Sequence, residues 1–222
     1  MLLMAPAAAA LGPTDPFELG FSEWEVFASY SGLGLDREES SLSTELLMGV
    51  GIRPRISGSL SITGESDTWL GNASQTISIG LFGVLLESDR VAWDLYGSVS
   101  TSGLVMAGTE LSLSLGERAG AHLNLETGFE NAPDDSQSID TSLSIAPMVH
   151  YDLSASATVL AAASIGHYPD SDESSTELEA ISLGVTFALR EGLELETQAD
   201  YYPSTDETDA SAGLTAGLIA CL

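Results

Sequence analysis

The chain has 222 residues, of which 44% are hydrophobic and only 18% charged, and its formal net charge is −27. It is too apolar for a disordered chain, yet no stretch approaches the ~18 uninterrupted apolar residues of a membrane helix. All six basic residues are Arg, which argues against a nucleic-acid partner and against electrostatic docking onto anionic headgroups, since both need a basic surface.

The first ten residues read MLLMAPAAAA, a short apolar run with an A-x-A-like end. It resembles the end of a secretory signal peptide, although no basic stretch precedes it. Residues 1–11 are therefore set apart as signal-like. Residues 12–21, with Pro13 and Pro16, read as a periplasmic lead-in, and residues 22–222 as one domain. The single cysteine, Cys221, allows no intrachain disulfide and has no nucleophile motif around it.

From there the signal is period-two alternation, interrupted by turn residues. A first strand is predicted near residues 22–31. In residues 41–52, Leu42, Thr44, Leu46, Met48, Val50 and Ile52 share one face, against Ser43, Glu45, Leu47, Gly49 and Gly51. After Arg53-Pro54, Ile56, Leu60 and Ile62 oppose Ser57, Ser59 and Ser61. Ile77, Ile79, Leu81 and Leu85 mark the next strand, and Val91, Trp93, Leu95 and Val99 the one after. Leu111, Leu113 and Leu115 oppose Glu110, Ser112 and Ser114. Leu123, Leu125 and Phe129 oppose His122, Asn124 and Glu126. Leu143, Ile145 and Val149 oppose Ser142, Ser144 and His150. Residues 155–166 form an Ala-rich strand of weaker pattern. Ile181 to Leu189, Leu193 to Asp200 and Leu214 to Leu222 complete the series. The total is about twelve strands, an even number that fits a closed up-and-down barrel.

Connections alternate. Arg53-Pro54, Glu87-Ser88-Asp89, Glu117 to Gly120, Asp152 to Ala155 and Arg190-Glu191-Gly192 are tight. LGLDREES, GESDTWLGNAS, NAPDDSQS, YPDSDESS and PSTDETDA are longer and acidic, and Ser100 to Gly103 is the short exception. Five of the six arginines lie at the tight-turn end. Trp24, Trp93 and Tyr151 fall on the apolar face near that end, and Tyr30, Phe129 and Tyr201 near the other, the layout of two aromatic girdles.

Alternation alone fits two architectures. A soluble sandwich turns the apolar face inward; a membrane barrel turns it to lipid. The signal-like start, the alternating connections and polar faces built of Ser, Gly and Thr favour the barrel. On these features residues 22–222 resemble bacterial outer-membrane β-barrels, and the last strand, AGLTAGLIACL, resembles their C-terminal assembly strand, with Leu222 where that class usually carries Phe or Trp. A looser similarity is to outer-membrane transporters of the phenol meta-cleavage pathway type. The resemblance implies an all-β, closed antiparallel transmembrane barrel in the bacterial outer membrane, contacts with its lipid and lipopolysaccharide, and passage of small solutes.

With that orientation the lumen receives Glu23, Glu25, Glu45, Asp94, Glu110, Glu126, Glu194, Glu196 and Asp200, against Arg55, His122 and His150. Carboxylate rings attract cations and repel anions, so the expectation is a cation-preferring channel, no enzyme, with no cofactor and no metal. The alternative is a structural or adhesive barrel whose lumen is filled by the same groups, since a twelve-stranded barrel lies between filled and open sizes. A lipid-modifying enzyme is the third reading. It requires a base among His122, His150 and His167, none of which lies in a His/Ser motif. The acidic runs Asp170 to Glu173 and Asp206 to Asp209 lack the spacing of a calcium loop.

Overall fold

Residues that alternate between branched or leucine side chains and Ser, Gly or Glu have two dissimilar faces, and a sheet is the element that separates them. The computed structural model describes residues 24–33, 41–53, 55–66, 74–131, 139–169, 174–204 and 210–221. These form β1 (Trp24–Leu33), β2 (Ser41–Arg53), β3 (Ile56–Ser66), β4 (Ser74–Glu87), β5 (Val91–Ser100) and β6 (Val105–Ser114). They continue with β7 (Ala119–Asn131), β8 (Ile139–Ser154), β9 (Ala157–Tyr168), β10 (Ser175–Arg190), β11 (Leu193–Tyr202) and β12 (Ser211–Cys221). Every strand pairs antiparallel with its sequence neighbours. The first strand also pairs with the last, Glu25 opposite Cys221 through Leu33 opposite Gly213. The strand order thereby returns on itself as a barrel.

The five tight turns close hairpins at one end. Three of them carry backbone that only a few residues tolerate: Gly116 and Gly192 have positive φ, and so does Arg55 at 69°. The short Ser100 to Leu104 connection at the other end is tied by Gly103 N–H to Ser100 O at 3.1 Å. The remaining acidic connections, Trp69, Arg37 and Glu23 lie outside the described residues.

The apolar face is the outer one. Ile79, Leu81, Leu183 and Leu214 are 59–63% exposed. The buried set is instead mostly small or polar, Ser57, Asp94, Ala162, Ser164, Ala180 and Ser182 among others, with Leu160 and Ile219 its large apolar members. Trp93, Tyr151, Phe129 and Tyr201 all stand exposed on the outer face, and Trp93 Nε1 donates to Thr109 Oγ1 at 2.6 Å. The side chains of Trp24 and Tyr30 are outside the described set. Such an outer surface suits hydrocarbon and not water, because soluble monomers rarely expose apolar patches beyond a few hundred Å².

Of the five register shifts among the described strands, two change which side chains face inward. One between Val84 and Leu86 leaves Leu85 and Leu86 both outside. Another between Leu178 and Ala180 puts Glu179 and Ala180 on the same inner side, as a β-bulge does when it adds a residue to one strand.

Candidate functional site

The inner face carries the polar chemistry, and strand register decides which groups meet. Asp94 on β5 lies directly across from Glu110 on β6, and Glu110 across from Asn124 on β7. Glu126 faces Gly108 and Ser144. On β11, Glu194, Glu196 and Asp200 point inward opposite Ala188, Thr186 and Ser182 of β10. Glu25 is in register with Gly49 of β2, and Glu45 with Ser29 of β1 and Thr63 of β3; the side chains of Glu25 and Glu45 lie outside the described set. Arg55 departs from the wall position expected for it. It occupies the turn between β2 and β3, with an exposed side chain 4.0 Å from Glu87, and so belongs to the rim.

Long inner side chains are seated over glycines of the neighbouring strand. Tyr96 lies over Gly108, His150 over Gly120 and Glu179 over Gly166; a Cβ at any of these glycines would overlap the side chain above it. Tyr96 donates from its hydroxyl to Asn124 Oδ1 at 2.6 Å and Glu126 Oε2 at 3.0 Å. Glu179 accepts from Ser164 Oγ at 2.6 Å and from the Tyr168 hydroxyl. Asp200 accepts from Ser182 Oγ at 2.6 Å and from Gln198 Nε2 at 2.5 Å. Asp94 Oδ1 has no hydrogen-bond partner among the described residues and is buried.

A second cluster joins three strands. Ser112 Oγ donates to Glu110 Oε1 at 3.1 Å. His122 Nδ1 lies 3.0 Å from Glu110 Oε1 and 2.9 Å from Ser112 Oγ. His122 Nε2 lies 3.1 Å from His150 Nδ1. Serine and carboxylate address the same ring nitrogen. A nucleophile–base–orienter set needs them on opposite nitrogens, so this cluster is not one.

Glu179 and Glu177 are inner carboxylates that strict alternation does not select, and Asp152, two residues beyond His150 on the inner row of β8, is a third that reading Asp152 to Ala155 as a turn leaves out. Counting outward from Ile181 by twos places Glu179 on the lipid side, and only the bulge reverses it. A bulge leaves no fixed sequence signature, although two glutamates on the apolar face of an otherwise apolar register, Glu177 and Glu179, are a signal that the register changes there.

No protein family and no curated protein matches the chain. Among solved structures it is similar to the NanC porin, with a TM-score of 0.67 and 12% identity over 90% of this chain and 100% of that one. It is also similar to the KdgM porin in complex with disordered oligogalacturonate, with a TM-score of 0.65 and 7% identity over 88% of this chain and 98% of that one. Outer-membrane expressed OmpT of Vibrio cholerae is similar at a TM-score of 0.51 and 6% identity, over 90% of this chain and 96% of that one. The fold is therefore that of the outer-membrane porin barrels.

Proposed function

We propose that the protein is a bacterial outer-membrane channel: a closed, twelve-stranded, membrane-spanning barrel that passes small solutes passively and prefers cations. Strands of 10 to 16 residues are long enough for tilted crossing, which takes about 9–11 residues. The apolar outer surface then meets lipid, and the exposed described arginines stand at the tight-turn rim.

The preference for cations rests on one observation. Among the described residues, the charged side chains on the inner wall are carboxylates, with His122 and His150 the only bases; the described arginines, 53, 55, 90, 118 and 190, are exposed at the tight-turn end. In a narrow aqueous lumen with low-dielectric walls such a lining raises the local concentration of cations and excludes anions. The KdgM porin is described with oligogalacturonate, a chain of sugar carboxylates. A carboxylate-lined lumen repels a polyanion, so this chain is expected to differ from that neighbour in its solute.

Planar-bilayer recording of refolded protein under a salt gradient tests the reading. Stepwise conductance with a cation-selective reversal potential is expected, and the combined Glu110→Gln and Glu126→Gln change should move that potential toward zero. An anion-selective potential overturns the preference. Protein that inserts without conducting overturns the channel and leaves a structural barrel with a filled lumen.

A further inference from the structure

We propose that His122 and His150 form a two-nitrogen chelate for a divalent transition-metal ion, such as copper(II), nickel(II) or zinc(II), on the lumenal wall. The inference goes beyond the channel reading and needs only the folded barrel. Imidazole is a preferred ligand of these ions, and the gap between the two rings has the right width. Two nitrogens ~2.0–2.1 Å from one ion are about 2.9 Å apart at a right angle and about 3.4 Å apart at the tetrahedral angle. His122 Nε2 and His150 Nδ1 are 3.1 Å apart.

The surroundings hold both rings for this purpose. An ionised carboxylate only accepts hydrogen bonds. Glu110 Oε1, 3.0 Å from His122 Nδ1, therefore fixes the ring proton on that nitrogen and leaves the Nε2 lone pair facing His150. A carboxylate behind a ligating histidine is the usual way such a ligand is oriented and made more basic. His150 is seated by Gly120, where any Cβ would meet its ring. Without an ion, His150 Nδ1–H donates to His122 Nε2. When His150 carries its proton on Nε2 instead, two lone pairs face the gap. Glu110 and Asp152 on the same wall offset the charge of a dication, and no described arginine shares that face.

Among the described residues no three or more His, Cys, Asp or Glu converge as ligands. The remaining positions on the ion thus belong to water or to a passing solute. The resulting site is exchangeable, open to the lumen, and unlike the closed four-ligand sites that hold structural zinc.

Untagged, refolded protein titrated with copper(II) alone tests the site. Electron paramagnetic resonance should show one ion bound through two imidazole nitrogens, and His122→Gln or His150→Gln should each reduce the nitrogen count and weaken binding at least tenfold. Glu110→Gln should weaken it ~10-fold or more, as loss of an orienting carboxylate does, while His167→Gln, on the outer face, should change nothing. A spectrum with oxygen ligands only, or with a single nitrogen, overturns the proposal even if no variant folds. So does an affinity indifferent to both His122 and His150. A silent barrel that binds copper through two nitrogens removes the channel and keeps the site; a conducting barrel that does not removes the site alone.

Discussion

The two halves of the inner wall are built differently. On β5 to β8 many inward groups are long and partly accessible: Tyr96, Glu110, His122, Asn124, Glu126, Met148 and His150, set among glycines, serines and the buried Asp94. On β9 to β12 more of them are short and buried: Ala162, Ser164, Ala180, Ser182, Gly184, Gly213 and Gly217, with Leu160, Glu196, Gln198, Asp200 and Ile219 buried between them and Tyr168, Glu177, Glu179 and Glu194 half-buried. The first wall projects into the lumen and the second recedes from it. Carboxylates of equal formal charge are consequently not equivalent. Those on β6 and β7 are partly exposed toward the lumen, whereas Asp200, 4% exposed, is committed to Ser182 and Gln198.

The largest effect is expected where the recessed wall is filled. Ser182 is fully buried and donates to Asp200. Ser182→Leu overpacks a closed site and strands a carboxylate, and should cost about 2–5 kcal/mol in urea unfolding of the refolded barrel. One residue on, the geometry inverts. Leu183 is 63% exposed at the middle of β10, so Leu183→Arg should cost ~2–4 kcal/mol in lipid vesicles by placing a charge in hydrocarbon, while Leu183→Ile should be nearly silent. If Ser182→Leu is tolerated and Leu183→Arg is too, the inside and outside of the barrel are assigned the wrong way round. On the projecting wall, Gly108→Val must displace Tyr96 from its bonds to Asn124 and Glu126. Overpacking of that kind should cost about 1–3 kcal/mol, read from the urea midpoint. Adding Tyr96→Ala should recover most of it, because the clash partner is gone.

How much of this could be read from the chain depends on the length scale of the interaction. Strand positions and faces follow from neighbours two residues apart, so Leu111, Leu113 and Leu115 against Glu110, Ser112 and Ser114 declare their orientation locally. Tight connections are legible for the same reason, since Glu191-Gly192 supplies its own positive φ. Arg55 lies at the rim and not on the wall, because the turn takes in one residue more than Arg53-Pro54 suggests. What stays hidden is set across strands. The pairing of Gly120 with His150, or of Ser182 with Asp200, depends on registers between strands that periodicity does not contain. The division into projecting and recessed walls lies further out of reach. It depends on how far side chains extend across the lumen, and Glu126 and Asp200 look alike in sequence.

That last distinction gives the smallest expected effect, and it divides two accounts of selectivity. If the field in the lumen is the sum of all inner charges, neutralising any carboxylate should shift the reversal potential by a similar amount. If solutes respond to the groups they reach, position matters more than charge. Asp200→Asn keeps a side-chain oxygen to accept from Ser182 and lies on the recessed wall, so it should leave the reversal potential close to that of the unaltered protein. Glu126→Asn at the projecting wall should move it measurably toward zero under the same salt gradient. Equal shifts from the two would mean that the recessed wall is open to solvent in the membrane, and that the lumen is wider on the β9 to β12 side than its buried serines and alanines indicate.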